Sequence, residues 1–191
     1  MINQNRHNTA KSSKPADRGP SVLIVEDNVA LGESLEMLLE TSSFDVSRTT
    51  DGVGGLHNIN LMDFDIILCD LVMPNLSGDM LYMSVRRVKP HLCSRFIFMT
   101  GNQDDPKWEQ FARSTGTTLL RKPFTLNTLV NAIREVMQKN LLTELRTNSE
   151  LQCLSANEKD LKLKMGASLQ LGSKKPLWPG SGSPGVSWAT N

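Results

Sequence analysis

The sequence predicts a doubly wound α/β fold, with five parallel strands in the order 2-1-3-4-5 and helices on both faces of the sheet. Three observations lead there. Short strand-like runs and longer helix-like runs alternate strictly between residues 21 and 139. Two of the strand-like runs, in SVLIVED and DIILC, are apolar on both faces, as buried parallel strands must be. The strand-like runs also end on polar residues, which gathers the chain's reactive groups at one edge of the sheet.

Each element has a local reason. SVLIV reads as the first strand and NVALGESLEMLLETS as the first helix, with Leu31, Leu35, Leu38 and Leu39 at helical spacing and Asp27 or Asn28 as its cap. DVSRTT is a short strand. DGVGGLHNINLM is a weak helix, because Gly52, Gly54 and Gly55 carry a high backbone entropy. DIILC runs as a strand into Asp70, and LVMPNLSG is a loop punctuated by Pro74 and Gly78. DMLYMSVRRVK is a helix stopped by Pro90, since the residue before proline is pushed away from helical geometry. RFIFMT is a strand ending at Thr100. Pro106 suits the first turn of the helix PKWEQFARST, on which Trp108 reads as a packing residue. TTLLR is a short strand. The last helix begins after Thr125, its cap, and carries the stripe Leu126, Leu129, Val130, Ile133, Val136 and Met137.

Composition narrows the function classes. The 191 residues suit one domain with flanking segments, expected as an N-terminal arm over 1–20, a folded domain over 21–139, a helical extension over 140–165 and a disordered tail over 166–191. Lys and Arg number 21 against 20 Asp and Glu, for a formal net charge of +1, so neither nucleic acid nor a membrane surface is an expected partner. Three cysteines, Cys69, Cys93 and Cys153, without CxxC spacing argue against a disulfide framework or a zinc site, and Cys69 reads as core. His7, His57 and His91 are scattered and suggest no metal centre. No apolar run reaches the ~20 residues that cross a bilayer, and the first twenty residues lack the apolar stretch of a secretory leader, so a cytoplasmic location is expected.

The chemistry gathers where the strands end. In a 2-1-3-4-5 sheet the ligand crevice lies outside the carboxyl ends of strands 1 and 3. Glu26 and Asp27 follow strand 1, Asp70 ends strand 3, Thr100 ends strand 4 and Lys122 follows strand 5. Three carboxylates in one crevice repel one another, and a raised pKa, a lysine counter-ion or a divalent cation relieves the repulsion. Oxygen donors without a nearby His or Cys favour Mg²⁺. Asp70 can then serve as an oxygen nucleophile toward a phosphoryl group, with Lys122 and the Thr100 hydroxyl as partners for its oxygens.

At these residues the chain resembles the receiver domains of bacterial response regulators, whose sheet has the flavodoxin-like order. The resemblance rests on Glu26-Asp27 after VLIV, on Asp70-Leu71-Val72-Met73-Pro74 with Gly78, on Met99-Thr100-Gly101 and on Lys122-Pro123-Phe124. It implies that Asp70 accepts a phosphoryl group from a histidine kinase or phosphotransfer protein. It also implies that Glu26, Asp27, Asp70 and the Val72 carbonyl surround Mg²⁺, that Thr100 and Lys122 bind the phosphoryl group, and that Pro123 follows a cis peptide bond. Such a protein is a signalling receiver rather than an enzyme, catalysing only its own phosphoryl transfer and slow dephosphorylation. It acts on a downstream protein, with a homodimer as one arrangement.

Two features depart from the family pattern. Leu119 stands three positions before Lys122, where many receivers carry an aromatic ring, so the usual threonine–aromatic coupling is not expected. The extension shows no DNA-binding motif or second catalytic domain; its leucines, Leu141, Leu142, Leu145, Leu151 and Leu154, suit a docking arm or a solvated helix. Two rival readings follow: a receiver-fold scaffold that ignores phosphorylation, and a flavin binder. Glu26 and Asp27 oppose the second, because acids stand where a flavin phosphate would need a cradle of donors.

Overall fold

The structure is a computed structural model that describes residues 19–102 and 105–170, with side chains described to residue 150 and at Gln152. Residues 1–18 of the arm expected over 1–20, and residues 171–191 of the tail expected over 166–191, lie outside the described residues. Strand β1 covers Ser21–Val25, β2 Asp45–Thr49, β3 Ile66–Asp70, β4 Phe96–Thr100 and β5 Thr118–Arg121. Helix α1 covers Val29–Thr41, α2 Gly52–Leu61, α3 Gly78–Val88, α4 Pro106–Thr115 and α5 Leu126–Gln170.

All four strand pairings are parallel, and the order is β2-β1-β3-β4-β5, as the alternating pattern predicts. The register fixes the polar edge. Val25 pairs with Cys69, Asp70 with Met99, and Thr100 with Arg121, so the residues that follow or end these strands emerge together.

The doubly apolar strands separate two cores. On one face Leu23, Val25, Ile67, Cys69, Phe96 and Phe98 meet Leu81, Tyr82 and Val85 of α3 and Trp108 of α4. On the other, Val22, Ile24, Ile66, Leu68, Ile97 and Met99 meet Leu35 and Leu39 of α1 and Leu129, Ile133 and Val136 of α5. Successive side chains of a strand point to opposite faces, so β1, β3 and β4 each supply both cores. The strands in the middle of the sheet are therefore fully buried, whereas β2 at the edge is only half-buried.

Local chemistry settles the helix ends. Asn28 caps α1 by accepting the Leu31 N–H, and Thr125 caps α5 by accepting the Thr128 N–H. Leu38, expected on the buried stripe of α1, is instead exposed: the core face is defined by Leu35 and Leu39, and Leu38 lies outside that arc. Helix α2 is regular despite its glycines. Asp51 caps it by accepting the Gly54 N–H, and Gly55 and Ile59 pack inward. A short 3-10 helix, Pro90–Arg95, begins at Pro90, where the sequence predicts only a helix stop.

Helix α5 continues unbroken to Gln170, through the stretch expected as an extension and past residue 165, where the sequence places the start of the tail. The chain divides into two compact units, Met1–Glu144 and Leu145–Asn191. The first holds the sheet and both cores. Among the described residues of the second, Leu145 is exposed.

Candidate functional site

The site is built by strand ends. Glu26 follows β1, and its N–H donates to the Thr49 carbonyl, which holds it at the rim of the sheet. Its side chain is 1% exposed, while Asp27 beside it points into solvent. Asp70 closes β3 and is 6% exposed. Gly78 lies directly over it: a Cβ there would stand 2.3 Å from the Asp70 carbonyl oxygen, so only glycine lets α3 start this close to β3. Lys122 leaves β5 with its N–H donating to the Thr100 carbonyl at 2.8 Å, which aims its side chain along the edge toward strands 1 and 3.

The ammonium of Lys122 donates to Asp70 Oδ2 at 2.5 Å and to Glu26 Oε2 at 2.7 Å. The other Asp70 oxygen, Oδ1, accepts the Val72 N–H at 3.0 Å. Glu26, Asp27 and Asp70 each present a carboxylate oxygen, all within 4.8 Å of one another. The structure thus brings four predicted residues together. Burial pushes the Glu26 carboxyl above its ordinary value, the Lys122 hydrogen bond opposes that shift, and the Asp70 charge adds to it. Desolvation pulls the Lys122 ammonium down, but its bonds to Asp70 and Glu26 outweigh it and hold its pKa above the ordinary value. Hard oxygen donors, one of them open to solvent, suit Mg²⁺, which keeps several of its waters.

Thr100 ends β4 and is 1% exposed, but its hydroxyl engages the loop beyond it. It accepts the Asn102 N–H at 3.1 Å and donates to the Asn102 carbonyl at 3.4 Å. Val72 sits on the loop after β3 with its side chain exposed. The Lys122–Pro123 peptide bond is cis.

Two residues were not singled out by the sequence. Asn102 holds the Thr100 hydroxyl through its backbone, a role that no side-chain pattern announces. Glu109 of α4 forms ion pairs with Arg113, one helical turn on, and with Arg121 of β5. The first pair is visible as an i,i+4 spacing; the second depends on how α4 lies against the sheet. Leu119 is half-buried beside this bridge and lines a cavity of about 370 Å³ with Glu109, Ala112, Arg113, Gly116 and Thr117.

A five-stranded parallel sheet in the order 2-1-3-4-5, with three acids and a lysine converging at its switch point, is the architecture of a receiver-like fold as a class. Residues 22–134 match the response regulator receiver domain family, more than half of the chain, and the chain belongs to that family. It is therefore a receiver domain of two-component signalling, a signalling module of a kind not generally classed as an enzyme. It is 31% identical over 120 residues to the cell cycle response regulator CtrA of Brucella ovis, covering 62% of this chain and 50% of CtrA. It is 28% identical over 121 residues to the sensor kinase CckA of Brucella abortus, covering 62% of this chain and 13% of the kinase. The matched region thus spans half or less of these curated relatives. Among solved structures, a receiver domain protein from Clostridium thermocellum superposes with a TM-score of 0.59 at 26% identity, covering 65% of this chain and 98% of that one. Chemotaxis protein CheY4 of Vibrio cholerae gives a TM-score of 0.56 at 25% identity, covering 61% of this chain and 98% of CheY4. Among the described residues, no helix is long and apolar enough to cross a membrane.

Proposed function

We propose that this chain is a phospho-accepting receiver in a two-component phosphorelay. In this reading Asp70 takes a phosphoryl group from the phosphohistidine of a sensor histidine kinase or phosphotransfer protein, and the modified domain acts on a downstream protein in the cytoplasm. The observation that carries this reading is the Lys122 ammonium bridging Asp70 and Glu26, with Asp27 beside them, at the sheet's switch point. This grouping supports the reading because it places a nucleophilic carboxylate, further oxygen donors and a cation at one point of the sheet edge.

The chemistry follows from these groups. An Asp70 carboxylate oxygen attacks the phosphorus, a P–O bond forms, the P–N bond to the donor histidine breaks, and the imidazole nitrogen keeps the electron pair. Glu26, Asp27, Asp70 and the Val72 carbonyl would hold Mg²⁺, which supplies positive charge against the phosphoryl oxygens. Lys122 already touches Asp70 and needs only a small movement to pair with a phosphoryl oxygen. The Thr100 hydroxyl exchanges its Asn102 backbone contacts for another phosphoryl oxygen. Hydrolysis of the resulting acyl phosphate by water returns the resting state, the slow dephosphorylation expected of the class.

Leu119 favours a second reading, a receiver-fold scaffold that ignores phosphorylation, because no aromatic ring is present there to report a movement of Thr100. Intact-mass measurement after incubation with acetyl phosphate and Mg²⁺ tests the first reading. One added phosphate on the wild type and none on Asp70→Asn is the expected result. No added phosphate, or equal labelling of both, removes the first reading and leaves the scaffold.

A further inference from the structure

Helix α3 turns Leu81, Tyr82 and Val85 into the core, yet its outer face is not simply polar. Met80 and Met83 are 55% and 44% exposed, about two turns and one turn before Arg86 and Arg87. Facing them across an open cleft of about 640 Å³ is Phe111 of α4. The Phe111 ring is fixed edge-on against Tyr82 and Phe98, at centroid distances of 5.7 and 5.3 Å, so the floor of the cleft is rigid. Its rim is two flexible, polarisable methionines, which adapt to the side chains laid against them.

The charges of this cleft are unbalanced. Asp79, at its far end, is already engaged by the Ser77 hydroxyl and by Lys107 of α4. Arg86 and Arg87 sit in the last turn of α3, are exposed, and among the described residues have no carboxylate within ion-pair distance. Apolar seats beside two uncommitted guanidinium groups form a surface complementary to an apolar segment that carries acids. The chain's own tail has the wrong charge for it: residues 171–191 contain Lys174 and Lys175 and no Asp or Glu.

We propose that the α3–α4 cleft docks an acidic amphipathic helix of a partner protein, its apolar side chains on Met80, Met83 and Phe111 and its carboxylates on Arg86 and Arg87. Helix-in-groove binding presents anchors at i, i+3, i+4 and i+7, a stripe that fits a trough between two helices. The residues of this cleft are not those of the acidic site, so the proposal does not rest on Asp70 accepting a phosphoryl group.

The test uses the full chain and a fluorescein-labelled helical peptide with leucine and phenylalanine at those four positions and glutamates on its flanks. A companion peptide has every glutamate replaced by lysine. Fluorescence anisotropy should show the acidic peptide binding at least about tenfold more tightly than the basic one, and amide shifts in ¹⁵N spectra should fall on α3 and α4. The double variant Arg86→Glu/Arg87→Glu should reverse the preference. Met83→Ser, which removes an apolar seat without adding charge, should weaken both peptides, and circular dichroism checks that each variant is folded. Equal binding of the two peptides, no binding of either, or shifts confined to other elements overturns the proposal. So does a wild-type dimer in sedimentation that Arg86→Glu/Arg87→Glu dissociates, because a second copy would then be the occupant.

Discussion

Lys122 and Asp70, 52 residues apart in sequence, meet with an ammonium-to-carboxylate distance of 2.5 Å. Lys122 reaches Glu26 as well, so one cation compensates two buried acids. Lys122→Met removes that cation and leaves both carboxylates unpaired. Breaking a buried pair from one side costs about 3–5 kcal/mol, and partial solvent access at Lys122 brings the expected loss to ~2 kcal/mol. Urea unfolding measures it. A loss below a few tenths of a kcal/mol would show that the acids are adequately solvated without the lysine.

A cation that binds only the folded state stabilises it by mass action, about 1.4 kcal/mol at ten times its dissociation constant. Added Mg²⁺ should therefore raise the melting temperature of the wild type. Asp27→Asn and Asp70→Asn should each remove most of that rise, while Glu109→Gln, which alters the α4–β5 bridge, should keep it. An equal rise in all four proteins would assign the effect to salt.

The indole N–H of Trp108 is buried and has no hydrogen-bond partner among the described residues. Leaving such a donor unpaired costs about 1–3 kcal/mol, which offsets part of what the ring gains by burial. Trp108→Phe removes the orphan donor along with some apolar area and should stay within about 1 kcal/mol of wild type. Leu81→Ala, in the same core, should lose 2–5 kcal/mol or so through its cavity. Denaturant midpoints compare the two. A large loss in Trp108→Phe would mean that the indole makes an essential contact.

Asp63 provides a pH signature away from the site. Hydrogen bonding to Lys89, with a further bond to His91, holds its carboxyl below the ordinary value of 3.8. An acid with a lowered folded pKa adds stability above its unfolded pKa and loses it as pH falls through the folded one. The Asp63 side chain is 48% exposed, so the contribution is under ~1 kcal/mol. The stability difference between wild type and Asp63→Asn should be constant from neutral pH to about 4 and vanish below that. Urea midpoints across this range check it, and a difference that grows on acidification has the wrong sign for this pair.

Leu119 lines a cavity of about 370 Å³ between α4 and β5, room enough for a larger ring. Leu119→Tyr should fold with stability within about 1.5 kcal/mol of wild type, as a tolerated change of shape at a half-buried site. It should leave the extent of Asp70 labelling by acetyl phosphate unchanged, because Leu119 lines the cavity between α4 and β5 and is not one of the residues grouped around Asp70. Reduced labelling would place this position within the reacting site.

The alternation of apolar and amphipathic runs was enough to determine the parallel sheet, its strand order and the edge at which Glu26, Asp27, Asp70 and Lys122 meet. Residues at strand ends in a doubly wound fold have few other places to go, which is why a one-dimensional pattern located a three-dimensional site. The burial of Leu38 was misjudged because helical spacing defines a broad arc and only packing against the sheet trims it. The tertiary structure alone decided the rest. It turned the Thr100 hydroxyl onto the Asn102 backbone, joined Glu109 to Arg121 across α4 and β5, and opened the cleft between Met83 and Phe111. The Thr100 contact is a local loop conformation, whereas the ion pair and the cleft depend on how separate elements lie against one another, and the periodicity that forms each element carries no record of its neighbour's position.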